Sequence, residues 1–197
     1  MSFFVFKTKK IATNYFLLFQ KLWTFSPIWC IIVEKFGILE CFGLRILVFS
    51  DTHGMIENCN RTVRKLVGVD MIIHAGDASA DAVDMQREFS KIPVKYVRGN
   101  SEISQAPPDL FFECDGVKIF LTHGQHYYVK SEASYHTLIT HARELGADIV
   151  VFGHTHIPIC DNLGDITVLN PGSARFGGTY GVIEIENGKA KCCVLDI

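Results

Sequence analysis

The chain has 197 residues, 48% of them hydrophobic and 20% charged, and a formal net charge of -2. That length suits one domain with an appendage, and the composition excludes global disorder. The near-neutral balance lacks the basic face that nucleic-acid binding requires. Seven cysteines, at positions 30, 41, 59, 114, 160, 192 and 193, form no Cys-X-X-Cys pair. They read as reduced, mostly buried thiols of a cytoplasmic protein.

Residues 1–43 differ from the rest of the chain. They are rich in aromatics, and from Ile11 to Val33 only Lys21 carries a charge. Three readings compete. The stretch approaches the ~20 apolar residues of a membrane-spanning anchor, although Lys21 and Pro27 interrupt it. It is too long, and lacks an Ala-X-Ala site, for a signal peptide. The favoured reading is an extension outside the domain, with an alternative start at Leu44. The run LRILVFSDTHG then opens directly on a strand. Residues 44–197 are the expected domain, and a membrane enters only if residues 1–43 anchor the chain.

After residue 43, strand and helix signals alternate. Ile46–Phe49, Met71–Ala75 and Val94–Val97 are short apolar runs and predict buried strands. Between them, Glu57–Leu66 and Ala80–Phe89 carry helical spacing, so β-α-β-α-β order predicts parallel strands with right-handed crossovers. Phe111–Cys114 and Val117–Leu121 flank Asp115-Gly116, a hairpin signal. Ser131–Leu145 predicts a helix closed by Gly146. Ile149–Phe152, Ile166–Leu169, Thr179–Ile185 and Ala190–Leu195 come next as strands, the last two joined by Asn187-Gly188. The second half is therefore expected to be mostly antiparallel β.

The ends of these strands carry the chemistry. They deliver Asp51-Thr52-His53-Gly54, Gly76-Asp77, Gly99-Asn100, His123-Gly124 and Gly153-His154-Thr155-His156. Ligands of open α/β sheets bind outside the carboxyl ends of the strands. Singly, each group is ordinary: Asp-X-His after a strand is a turn, and a lone histidine is usually satisfied in place. Five such groups in workable order predict a metal site. Two divalent ions ~3.5–4 Å apart clamp the attacking and leaving oxygens of an in-line displacement. A carboxylate has two oxygens and can bridge them, and Asp77 is the central candidate. Mixed imidazole and carboxylate suits Mn, Fe, Zn, Co or Ni better than Mg or Ca. His74 reads as a packed residue behind the ligands and His126 as a rim residue within reach of substrate. His136 and His141 read as surface or packing.

The blocks FSDTHG, HAGD, VRGNSE, LTHG, FGHTH and NPGS resemble the calcineurin-like metallophosphoesterases, in particular their small single-domain phosphodiesterases of bacteria and archaea. The resemblance covers residues 44–197. It implies an α/β fold, a two-sheet β-sandwich flanked by helices, with a dinuclear site on one edge. It also implies that Asp51, His53, Asp77 and His156 hold one metal and Asp77, Asn100, His123 and His154 the other, with Mn the first choice. Asp77, Asn100 and His123 are then the residues closest to the chemistry.

The implied activity is hydrolysis of a small phosphate ester by a hydroxide that two divalent metals activate. Many larger relatives carry a histidine after the Asn, where it assists the leaving group; here that place is Ser101, followed by Glu102. The small-phosphodiesterase branch also lacks it, which favours a diester. The alternative is a non-catalytic scaffold, since a eukaryotic retromer subunit resembles this fold with an altered metal site. The complete ligand set favours the enzyme. Arg175 and Lys130 are candidate phosphate contacts. The physiological substrate and the oligomeric state are not legible.

Overall fold

The computed structural model describes residues 43–197. The three readings of the N-terminal stretch fall outside the described residues. Among the described residues no helix is long and apolar enough to cross a membrane. The elements in chain order are β1 (Leu44–Phe49), α1 (Glu57–Lys65), β2 (Met71–His74), α2 (Ser79–Glu88), β3 (Val94–Tyr96), β4 (Asp109–Cys114) and β5 (Val117–Thr122). Then come α3 (His136–Leu145), β6 (Ile149–Val151), β7 (Ile159–Leu163), β8 (Ile166–Asn170), β9 (Thr179–Glu186) and β10 (Lys189–Asp196).

The strands form two five-stranded sheets, in the orders β10-β9-β1-β2-β3 and β4-β5-β6-β8-β7. The two-sheet sandwich with flanking helices is thus the observed architecture. Strand β1 shows why its sequence is continuously apolar. Successive side chains of a strand point to opposite faces, and both faces of this one are covered. Ile46 and Val48 enter the core between the sheets, with Ile73, Ile119, Leu121, Val151 and Leu169. Leu47 and Phe49 face outward, against Cys59 and Val63 of α1 and Met85 of α2. The outer face of the second sheet buries Phe120, Val150, Phe152 and Val168 against Leu138, Ile139 and Ala142 of α3. Each such side chain stabilises the fold by about 1.5–3 kcal/mol on burial.

Strands β1, β2 and β3 are parallel, as the sequence predicts. The second half is mostly antiparallel, as expected: β4 pairs with β5, β7 with β8, and β9 with both β10 and β1. Within it, β5, β6 and β8 run parallel to one another, with α3 as the crossover between β5 and β6. Strand β7 is absent from the sequence reading, because an edge strand exposed at Cys160, Asp161 and Asn162 has no apolar alternation to detect. Helix α3 begins at His136 rather than Ser131. Tyr135 sits at φ 52°, and the Glu132 carboxylate instead accepts hydrogen bonds from the Thr137 N–H (2.8 Å) and hydroxyl (2.7 Å). Gly146, at φ 70°, ends that helix by donating to the carbonyls of Ala142 and Arg143, as expected of a left-handed cap.

Both sheets therefore end parallel strands on one rim. Truncating the inter-sheet core should loosen both halves of it at once. Ile73→Ala is expected to lower the unfolding free energy by about 3 kcal/mol, read from urea denaturation of the metal-free protein.

Candidate metal centre

Each of the five predicted groups lies just beyond a strand end, and the backbone there is unusual. Asp51, His53, Asp77, His154 and His156 all adopt positive φ, between 44° and 66°. Non-glycine residues in that region cost about 1–3 kcal/mol each and persist only where their surroundings hold them. Here the segments hold one another. The Asp51 N–H donates to the Gly76 carbonyl (3.0 Å), Gly153 N–H to the His123 carbonyl (3.2 Å) and Ala174 N–H to the Ser50 carbonyl (3.0 Å).

The side chains then converge. Asp51, His53 and His156 place one ligand atom each within 4.8 Å of the others, and so do Asp51, Asp77 and His123. Asp51 Oδ1 lies 3.0 Å from His156 Nε2. Asp77 presents Oδ2 to His53 Nε2 at 3.8 Å and Oδ1 to His123 Nε2 at 3.4 Å. Atoms bound to one cation at ~2.1 Å stand about 3–3.5 Å apart, so these separations are near those of shared ligation. Asn100 Oδ1 is 3.2 Å from His123 Nε2. The His154 ring is 4.9 Å from that of His123. Asp51 is shared between the two compact groups, while the two oxygens of Asp77 face histidines from both.

The polar bookkeeping fits a cation. His123 is wholly buried, and its Nδ1 lies 2.7 Å from the Ala75 carbonyl. A carbonyl can only accept, so Nδ1 carries the proton and the neutral ring turns the lone pair of Nε2 inward. That lone pair meets the oxygens of Asp77 and Asn100, which are acceptors too. Asp51 Oδ1 is buried with no hydrogen-bond donor. Its other oxygen accepts from the Ser50 hydroxyl at 2.5 Å and the His154 N–H at 3.2 Å. Acceptors facing acceptors in a buried site need a positive charge between them.

The family model described as "Calcineurin-like phosphoesterase superfamily domain" matches residues 44–188. The chain belongs to the calcineurin-like phosphoesterase superfamily. A probable metallophosphoesterase of Bacillus subtilis is 30% identical over 157 residues, covering 75% of this chain and 88% of that protein. A phosphodiesterase of Methanocaldococcus jannaschii is 25% identical, over 78% of this chain and all of that protein. An uncharacterised Streptococcus pneumoniae protein predicted to be a phosphoesterase superposes with a TM-score of 0.66 at 28% identity, over 78% of this chain and 90% of that chain. Vacuolar protein sorting 29 of Entamoeba histolytica, complexed with zinc, shares the fold at a TM-score of 0.61 and 22% identity, over 78% and 99% of the two chains.

Behind the candidate ligands lies a layer of side chains to which the sequence reading, His74 excepted, gave no supporting role. The Thr52 hydroxyl donates to Asp81 Oδ2 at 2.6 Å and meets His74 Nε2 at 2.9 Å. The Gly54 N–H donates to the same Asp81 oxygen at 2.7 Å. His53 is therefore tied on both sides to the first turn of α2. The Glu102 carboxylate accepts from the N–H groups of Gly99 (2.9 Å) and Ser79 (2.8 Å) and from the Ser79 hydroxyl. This fixes the loop that carries Asn100. The Asp77 Oδ1 atom accepts from the N–H groups of Asn100 (2.9 Å) and Ser101 (3.0 Å). The Asn170 amide donates to the Gly153 carbonyl (2.9 Å) and Thr155 hydroxyl (2.9 Å), holding the segment between His154 and His156. The Ser173 hydroxyl donates to the Asp51 carbonyl at 2.9 Å. In the sequence these residues look like caps, turns and first-turn acids.

Phe176 covers the half of the rim formed by His53 and His156. Its ring stacks on His156 (5.6 Å, 14°) and lies 5.7 Å from His53. Arg175 lies 4.8 Å over the Phe176 ring and donates to the His53 carbonyl at 3.0 Å. His126 is exposed. His141 stacks on Tyr127 at 5.3 Å, a packing role.

The electrostatics follow burial and neighbours. Burial works against ionisation of Asp77, but the His123 ring and the Ser101 amide outweigh it and hold the carboxyl below the usual carboxylate range. Burial disfavours a charged His123, yet the carboxylates of Asp77 and Asp51 raise its pKa. His154 is lowered to about 4, by burial first and then by the charges of His123 and Lys130. His74 is lowered to about 4 by burial, against the pull of Asp81 and Asp51.

Two outcomes are expected. A Cβ on Gly99 would overlap Asp77 Oδ1, so Gly99→Ala should weaken metal binding about 10- to 100-fold with an unchanged far-UV circular dichroism spectrum. Titration calorimetry reads this, and unaltered affinity would refute it. The second concerns pH. A histidine whose folded pKa is depressed favours the folded state above its unfolded pKa, and that contribution is lost as pH falls toward the folded value. Between pH 6.5 and about 4, His74 should remove up to about 3 kcal/mol of stability from the metal-free protein. His74→Gln should flatten that part of the stability profile, measured by denaturant titration at each pH.

Proposed function

We propose that residues 44–197 form a phosphodiesterase that uses two divalent metal ions to hydrolyse a small phosphate diester. The observation that carries this reading is the pair of adjoining ligand groups, one of Asp51, His53 and His156 and one of Asp51, Asp77 and His123. In the fuller assignment, Asp51, His53, Asp77 and His156 would hold one metal, and Asp77, Asn100, His123 and His154 would hold the other. Asp77 would belong to both sets, in keeping with one of its oxygens lying near His53 and the other near His123. The imidazole and carboxylate donors suit Mn first, with Fe, Zn, Co or Ni also competent. When bound, such a pair supplies Lewis acidity at the phosphoryl oxygens and an activated water.

The chain's own groups do the positioning. His123, with its Nδ1 proton committed to the Ala75 carbonyl, keeps Nε2 aimed into the site. Asn100 stands exposed at the rim, where its amide can donate to a non-bridging phosphoryl oxygen. Arg175 anchors on the His53 carbonyl, and Lys130 is close enough to depress His154. Each half of the site thus has a cation beside it to draw in an anionic ester. Ser101 supplies no acid for the leaving group. Glu102 does not replace it, because its carboxylate is engaged by Gly99 and Ser79. This favours a substrate whose leaving group departs without strong protonation. The phosphodiesterase among the relatives supports a diester in the same direction. A scaffold role is less well supported, since all seven ligand positions carry metal-competent side chains.

The test is hydrolysis of an aryl phosphodiester and the matching monoester across Mn, Fe, Zn, Co and Ni. Diester turnover should require added metal, disappear with a chelator and return on metal readdition. Asp77→Ala and Asn100→Ala should each lower it at least about 100-fold. Turnover retained in either variant, or a monoester cleaved faster than the diester, would overturn the assignment.

A further inference from the structure

The half of the rim formed by His53 and His156 carries a third ring. The His53 and His156 rings are 5.8 Å apart, and the Phe176 ring lies 5.7 Å from the first and 5.6 Å from the second. Phe176 is therefore as close to each candidate ligand as they are to one another. It belongs to neither ligand group, and its side chain has no donor atom to offer a cation. These contacts still leave the residue 65% exposed. A large apolar side chain held in water beside a polar site is surface that a ligand gains by covering.

The turn holds the ring in place. The Phe176 N–H donates to the Ser173 hydroxyl oxygen at 3.0 Å, and that hydroxyl donates to the Asp51 carbonyl at 2.9 Å. The N–H groups of Gly177 and Gly178 both reach the Ser173 carbonyl, at 2.9 and 3.0 Å. One serine thus ties the turn that carries Phe176 to the strand end that carries Asp51. Arg175 adds a second tie, since it donates to the His53 carbonyl at 3.0 Å and lies 4.8 Å over the ring. A ring fixed before a ligand arrives loses little further freedom on binding.

Two more exposed apolar side chains belong to the same ligand segments. Met55, two residues after His53, is 54% exposed, and Ile157, next after His156, is 65% exposed. The Met55 N–H donates to the Thr52 carbonyl (2.9 Å) and the Ile157 N–H to the Thr155 hydroxyl oxygen (3.2 Å), so each is set by the turn that presents its histidine. Small-molecule sites combine apolar walls with a few polar groups that orient the ligand, and here the polar groups are the candidate ligands themselves.

We propose that Phe176 determines specificity, as a stacking platform for a planar aromatic arm of the phosphodiester, with Met55 and Ile157 as apolar edges of the same subsite. The proposal rests on the phosphodiesterase reading and adds to it the class of arm. An ester seated against His53 and His156 carries its arm out beside Phe176. An aryl group or a nucleobase has a π-face to lay on that ring, whereas a glycerol or sugar arm has none.

The full chain loaded with Mn is titrated by calorimetry with phenylphosphonate and with methylphosphonate, which share an anionic head and differ in the arm. Phenylphosphonate should bind about 10-fold more tightly. Phe176→Ala should bring the two affinities within about threefold of each other, and Phe176→Tyr should keep the preference. Titration with Mn alone should give Phe176→Ala an affinity within about threefold of the parent. Met55→Ala should lower the preference by a smaller factor. The KM for an aryl phosphodiester should rise about 10-fold in Phe176→Ala. Equal binding of the two phosphonates, or a preference that survives Phe176→Ala, would sink the subsite and leave the phosphodiesterase reading intact. So would a loss of Mn affinity in Phe176→Ala as large as its loss of phenylphosphonate affinity, because the ring would then only pack His53 and His156. If neither phosphonate binds the Mn-loaded chain and no diester is cleaved, the phosphodiesterase reading fails and the subsite with it.

Discussion

Asp51 Oδ1 is buried and has no hydrogen-bond donor, and its near neighbour is a histidine nitrogen 3.0 Å away. A bare carboxylate oxygen in that position costs several kcal/mol unless a positive charge meets it. The rim is arranged around this demand. Asp77 brings a second carboxylate, His53, His123 and His156 bring nitrogens, and Asn100 brings an amide oxygen. The Ser50 hydroxyl is spent on the other oxygen of Asp51, Oδ2, and leaves Oδ1 unanswered. The Asp77 and Asp51 carboxylates raise the His123 pKa, and the His123 ring in turn lowers that of Asp77.

Parallel strands in both sheets of the sandwich assemble this rim. Asp51, Asp77 and Asn100 follow β1, β2 and β3 of one sheet, and His123, His154 and His156 follow β5 and β6 of the other. The inter-sheet core of Ile46, Val48, Ile73, Ile119, Leu121 and Val151 sets their spacing. Close approach is then permitted by missing Cβ atoms. One on Gly153 would overlap the Ser50 hydroxyl and crowd Asp51, as one on Gly99 would Asp77. The left-handed backbone at five ligand residues is the local cost of that crowding. Backbone bonds between neighbouring loops, together with Asp81, Glu102 and Asn170, offset it.

Family membership and the observed fold agree on the coarse chemistry: a metallophosphoesterase domain with groups able to hold divalent ions. The likeness to vacuolar protein sorting 29 extends to fold alone, so fold does not distinguish catalysis from scaffolding. The side chains at the strand ends bear on that distinction, since buried acceptors that face one another suit a cation.

By itself, the sequence determined the strand-end chemistry, the α/β class and the seven ligand candidates. Those signals are local: a buried strand must be apolar, and its polar terminus is then conspicuous. The parallel first half, the hairpin at Asp115-Gly116 and the Gly146 cap were legible for the same reason. Tertiary structure alone decided the parallel pairing of β5, β6 and β8, the existence of β7 and the late start of α3. Pairing partners and edges depend on distant chain, and Ile159–Leu163 carries no periodicity of its own. It alone decided that Asp51, as well as Asp77, stands between the two ligand groups. It also revealed the roles of Thr52, Asp81, Glu102 and Ser173, whose residue types are those of ordinary turns and caps. A hydrogen bond between residues far apart in the chain leaves no mark in the local pattern, and the layer behind the ligands consists largely of such bonds.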